Sequence, residues 1–235
     1  MIKLVLGSID VDVVLKDIKN VHLSVHPPNG RVRIAAPLRM KPENIRLYAI
    51  SKLPWIRAQQ KQLRVQKRET PREYLDRESH YVWGKRYLVK IVEHDAPPLV
   101  QFKNRKLTIH LRPNTDRTSR EQILEAWYRQ QVKQEAEKFI EKWCSVLKVT
   151  VARFYVQRMK TQWGSCNTEA RTVRINTELG KKRQHCLEYI VVHELVHLLE
   201  RSHNDRFRRL MDKFYPKWPH VRAELNSMPL APSAS

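Results

Sequence analysis

Cysteine is scarce in this sequence, and its three copies, Cys144, Cys166 and Cys186, are odd in number and unclustered. That excludes a disulfide framework and fits a reducing compartment. Only five glycines are present, and they nowhere gather into a loop that could cradle phosphate. Long apolar runs are missing too. Met1 to Lys16 carries Asp10 and Asp12 and no sustained apolar stretch, so we expect neither a signal peptide nor a membrane span, and a cytoplasmic protein. No internal repeat or low-complexity segment is visible. Acidic residues are the last shortage: 24 against 45 lysines and arginines, a net charge of +21. Such a charge attracts polyanions, so weak non-specific nucleic-acid binding is expected beside the plainer role of solvation. With 235 residues, 41% of them apolar, the chain can bury one large core or two small ones.

What stands out is Val191 to His203, which contains His193-Glu194-Leu195-Val196-His197, the pattern His-Glu-x-x-His. Residues four apart lie on one face of a helix, about 6 Å along its axis, so two imidazoles can reach one metal ion. Glu194, one step round, can take a proton from a water at that metal. Catalytic zinc takes three protein ligands, and His203 is our candidate for the third. It lies too far round for the same face, so the chain must turn after about Arg201. Glu200, seven residues after His193, is the alternative third ligand. Ile190, Val191, Val192, Leu195, Val196, Leu198 and Leu199 make the segment apolar nearly all round, which means burial. Polar groups buried there need partners, and a metal supplies one.

The rest reads as an α+β chain. Alternation at Val11–Leu15, Val21–Val25 and Val32–Ala36 predicts strands, with a hairpin over 20–36 turning at Pro27-Pro28-Asn29-Gly30. Pro42 opens a helical stretch that Pro54 divides, and residues 57–72 form a basic helix end or linker. Strands resume at His80–Trp83, Tyr87–Ile91, Val100–Phe102 and Leu107–Leu111, as a short meander. Ser119 and Gln122 suggest a capping box for a helix running to about Leu147. Strands follow at Val151–Met159 and Thr172–Asn176, and Ser227–Ser235 looks disordered. We therefore expect a β-rich N-terminal domain over 1–117, with a helical insertion near 41–67, and a catalytic domain over 118–235.

Arg158-Met159-Lys160-Thr161-Gln162-Trp163-Gly164-Ser165-Cys166, a strand ending Ile175-Asn176, and Tyr189 to His197 together resemble the YgjP-like metallopeptidase family. Gly30 to Pro37, Trp55-Ile56, Trp83 to Tyr87 and Trp127-Tyr128 extend the resemblance over most of the chain. That family is similar to zinc proteases acting on DNA-bound proteins, which share the spacing from second to third histidine. Two departures are visible: Phe207-Arg208 where the family usually has Phe-Trp, and Gly180-Lys181-Lys182 where a proline is usual. The resemblance implies a zincin-like catalytic half. It also implies an open edge strand at Arg171–Asn176 that pairs with extended peptide. Trp163-Gly164 reads as a tight turn on the active helix, and Cys166 as buried and structural.

The expected function is zinc-dependent peptide hydrolysis. His193, His197 and His203 hold the metal, Glu194 is the general base, and nucleic-acid-associated proteins are one substrate class. The alternatives are a metal-dependent nucleotide phosphohydrolase and a nucleic-acid-binding protein with an inert zinc site. For DNA, the expected contacts are 57–72 and Lys181, Lys182 and Arg183.

Overall fold

The computed structural model describes residues 2–26, 30–65, 73–159 and 162–227. The expected turn residues 27–29, the basic residues 66–72, Lys160-Thr161 and the tail beyond Ser227 lie outside them. The chain divides into two compact units, one up to Pro71 and one from Arg72 to Ser227.

In the first unit, β1 (Ile2–Leu6), β2 (Ile9–Lys16), β3 (His22–His26) and β4 (Arg31–Pro37) form one sheet in the order β1-β2-β4-β3. The expected hairpin is the antiparallel β3–β4 pair. Alternation puts Val11, Val13, Val32, Ile34 and Ala36 in a core closed by Ile45, Ala49 and Ile56. Those last three come from α1 (Pro42–Ser51) and α2 (Leu53–Val65), which break where Pro54 predicts.

In the second unit, β5 (Ser79–Val82), β6 (Lys85–Glu93), β7 (Leu99–Lys103) and β8 (Lys106–Leu111) take the order β5-β6-β8-β7. They do not form a meander, because β6 pairs with β8 in parallel and leaves β7 at the edge. The same order and pairing sense occur in the first sheet, whose β2 and β4 are also parallel. The fold thus repeats a four-strand unit that leaves no visible repeat in the residues. α3 (Arg117–Leu147) is capped by Asp116, whose carboxylate accepts from the Ser119 backbone N–H at 2.7 Å, so the capping box expected from Ser119 does not form. Leu124 and Tyr128 of α3 share a core with Val82, Val89, Leu107, Ile109 and Leu111. Without α3 this sheet would expose its apolar face, and the boundary expected at residue 117 therefore falls inside the second unit, with the division at Pro71.

Three more strands follow: β9 (Arg153–Gln157), β10 (Gly164–Asn167) and β11 (Thr172–Asn176), in the order β10-β11-β9. A short 3-10 turn, Thr177–Lys181, leads to α4 (Gln184–Val196), α5 (Asp205–Phe214) and α6 (Trp218–Ser227). The class is α+β, as expected. Among the described residues no helix is long and apolar enough to cross a membrane.

Candidate metal centre and its cleft

α4 is buried on nearly every side, by Leu187, Ile190, Val191, Val192, Leu195 and Val196. It ends at Val196, sooner than the turn expected after Arg201. The Glu200 backbone N–H closes the last turn on the Val196 carbonyl at 3.0 Å. The chain then doubles back. The His203 Nε2 comes to lie 2.9 Å from the His193 Nε2 and 3.2 Å from the His197 Nε2. Sequence spacing had assembled the first two, and the reversal delivers the third. Glu200 stays outside the group. Its carboxylate accepts from the Ser202 backbone N–H at 3.2 Å and lies 3.9 Å from Arg206, so it serves the turn.

The ring orientations suit a cation. The His197 Nδ1 lies 3.0 Å from the Glu200 carbonyl, and donating its proton there leaves a lone pair on Nε2. The His193 Nδ1 is buried without a hydrogen-bond partner among the described residues. Burial first, then the charges of His197, His203 and Arg222, push His193 down to about 3, and burial also lowers His197 and His203. Among neutral imidazoles one proton can bridge only one of the two contacts that share the His203 Nε2, so at the other, two lone pairs face each other or two N–H groups clash. A metal resolves that: tetrahedral nitrogen ligands about 2.0–2.1 Å from zinc stand roughly 3.3 Å apart.

Phe207, to which the sequence reading gave no role, packs on all three rings at 5.0, 4.7 and 4.8 Å between centroids. Asn204 puts it there by capping α5, its side chain accepting from the Phe207 backbone N–H at 3.0 Å. Asn ahead of a helical run is the signal that could have found this cap.

Glu194 is buried, and burial pushes its carboxyl up to about 8. β10 crosses so closely that a Cβ on Gly164 would lie 2.7 Å from the Glu194 Oε1 and 2.9 Å from its Cγ. Here two expectations are corrected. Trp163-Gly164 is not a tight turn, since Gly164 opens β10 opposite Ile175. β11 is not an edge, since it lies between β10 and β9, and of these two outer strands β10 is the one that lines the cleft. Trp163 accepts from the Asn176 backbone N–H at 2.9 Å. In an antiparallel ladder such bonds alternate, so Gly164 and Cys166 turn their backbone groups toward the open side. β10, the histidines, Glu194 and Arg222 line a cleft of about 690 Å³. Cys166 is half-buried on its wall, and burial, then the nearby Glu194, pushes its thiol up to about 11.

The sequence pattern of the YgjP-like, metallopeptidase domain family matches residues 19–228. The chain belongs to this family. A YgjP-like metallopeptidase is a hydrolase that cuts peptide bonds with the help of a metal ion. Two solved structures are also similar to part of it. One is the metallopeptidase zymogen of Methanocaldococcus jannaschii jannalysin, 17% identical, covering 39% of this chain and 87% of its own at a TM-score of 0.35. The other is that of Pyrococcus abyssi abylysin, 17% identical, covering 40% and 99% at 0.35. The comparison with curated proteins returned no match.

In this YgjP-like chain the basic run before α4 is occupied rather than presented. Lys181 lies 2.8 Å from both Glu178 carboxylate oxygens, and Lys182 is buried with its Nζ over the Trp163 ring at 5.9 Å. Arg183 lies 3.5 Å from Glu224. Lys181 and Lys182 are therefore withdrawn as expected DNA contacts, because their charges are spent inside the fold.

Proposed function

We propose that His193, His197 and His203 hold one zinc ion and that Glu194 is the general base for peptide-bond hydrolysis. The observation that carries this reading is the meeting of three imidazole Nε2 atoms, at 2.9 and 3.2 Å, beside a buried carboxylate. Three imidazoles without thiolate are a donor set that suits zinc. Zinc held there acidifies water and polarises a carbonyl. Glu194 accepts the proton of the attacking water and passes it to the leaving amine. Phe207 and the His197–Glu200 contact keep the imidazoles in place while this happens. The open backbone groups of Gly164 and Cys166 give an extended peptide a strand to pair with, which lays its carbonyls along the cleft. The role first expected of Arg171–Asn176 thus passes to Gly164–Asn167.

The net charge of +21 supports a second element: weak DNA binding without sequence preference, with nucleic-acid-associated proteins among the substrates. The three cysteines are all free, in keeping with a cytoplasmic setting. The test is proteolysis of casein and of basic DNA-binding proteins, with zinc or chelator, with and without DNA, and with a nucleoside triphosphate arm. Zinc-dependent cleavage that Glu194→Gln abolishes is expected. Nucleotide hydrolysis without proteolysis would refute the reading.

A further inference from the structure

Besides the histidines, four charged side chains line the cleft: Glu169, Glu194, Arg201 and Arg222. Arg201 and Glu169 face each other at 3.6 Å. Glu194 is shut in by Gly164 and Ile190 and makes no ion pair with a guanidinium among the described residues. Arg222 is left over. It is exposed on α6 and has neither a hydrogen bond nor an ion pair among the described residues. It lines the same cleft as His193, Glu194 and His203.

The helix carrying Arg222 is firmly seated. Val221 and Leu225 are buried. Between them in sequence, Glu224 lies 2.7 Å from the His185 Nε2 and 3.5 Å from the Arg183 Nη1. Both partners sit at the start of α4, the helix that bears His193 and Glu194. The clamp therefore ties the position of Arg222 to that of the catalytic helix. A cation without a partner, offered by a fixed helix to a peptide cleft, is a recognition element. A guanidinium matches a planar carboxylate with two parallel hydrogen bonds.

We propose that Arg222 binds a carboxylate of the substrate and makes this peptidase selective for a negative charge near the scissile bond. The carboxylate belongs to an acidic side chain or to the end of a peptide; both offer the same two oxygens. The inference rests on the peptidase reading above.

The experiment uses the full-length zinc-loaded protein and a digest of a peptide library. It continues with matched peptides that differ by Glu against Gln beside the cut, each with a free and an amidated C-terminus. Wild type is expected to prefer the charged peptide by about tenfold, carried in KM. Arg222→Ala should bring that ratio to near one, Arg222→Lys should keep part of it, and Arg222→Glu should favour a Lys peptide instead. Calorimetry in the Glu194→Gln background should show the same ratios as binding affinities, without turnover. Unchanged melting temperature and zinc content in Arg222→Ala would show that the fold is intact. Loss of discrimination on Glu-to-Gln exchange assigns the side chain, and on amidation the chain end. If wild type cuts and binds charged and neutral peptides equally, or if Arg222→Ala keeps the preference, the proposal is overturned. If wild type holds zinc yet neither cuts nor binds any peptide, the peptidase reading falls and this inference with it.

Discussion

Gly164→Ala places one methyl group where the structure has no room for it. The new Cβ would lie 2.7 Å from the Glu194 Oε1, and 2.9 Å from both the Glu194 Cγ and the Ile190 Cγ2. Ordinary contact begins near 3.4 Å or more, so the carboxylate must retreat by roughly 0.7 Å or β10 must lift away by as much. Gly164 is not among the glycines with positive φ, so alanine meets no backbone penalty and the whole effect is this collision. Overpacking of this size costs about 1–3 kcal/mol, and each kcal/mol lowers the melting temperature by about 2–4 °C in a domain of this length. The catalytic effect should be larger than the stability effect. Misplacing a reacting group by about 1 Å costs on the order of a hundredfold. We expect kcat on a peptide substrate to fall by about that factor, with zinc content unchanged because the histidines are untouched. Metal analysis, a thermal melt and steady-state kinetics on one preparation decide it. Full kcat with full zinc would mean that Glu194 moves freely or is not the base.

The remaining predictions are shorter. Glu194→Gln should keep its zinc and lose hydrolysis by several orders of magnitude; retention of the wild-type rate would remove Glu194 from the chemistry. His193→Ala, His197→Ala and His203→Ala should each lower zinc occupancy while Glu200→Ala does not, and the reverse result at His203 and Glu200 would exchange the third ligand. Cys166 should react slowly with iodoacetamide at pH 8, since a thiol near 11 is only about 0.1% thiolate there. Its rate should climb about tenfold per pH unit until the thiol titrates; fast alkylation at pH 8 would contradict the protonated, half-buried thiol.

What the sequence revealed of the site was what a single helix can encode. His193 and His197 sit four apart, and the apolar residues around them fixed the burial of α4. His203 was legible through the polarity of the turn before it and through the spacing that the family resemblance carries. Phe207 and Arg222 were not legible in this way. Phe207 reaches the rings through the cap at Asn204, and Arg222 arrives on α6, a separate helix whose approach depends on the Glu224 clamp. Most strands were placed by alternation, β10 being missed, yet their order was not. Alternation reports which face of a strand is buried and says nothing about its neighbour. Both sheets of four hide a parallel pair, β2–β4 and β6–β8, between strands that are not consecutive.

The exchange of edge between β11 and β10 follows from the same limit, and its physical cause explains why the edge has so faint a signal. Val173 and Ile175 are fully buried, which a central strand permits, and their β-branched side chains make β11 easy to recognise. β10 is Gly-Ser-Cys-Asn, with Gly164, Ser165 and Cys166 half-buried. A strand that borders a cleft cannot carry bulky apolar side chains on its open side without closing it. It also cannot carry any side chain where it passes Glu194. Gly164 meets both demands at once: it clears the carboxylate, and it leaves its own N–H and C=O turned outward. The residues that make β10 hard to read as a strand are therefore those that let it pass close to Glu194 and leave its edge open on the cleft.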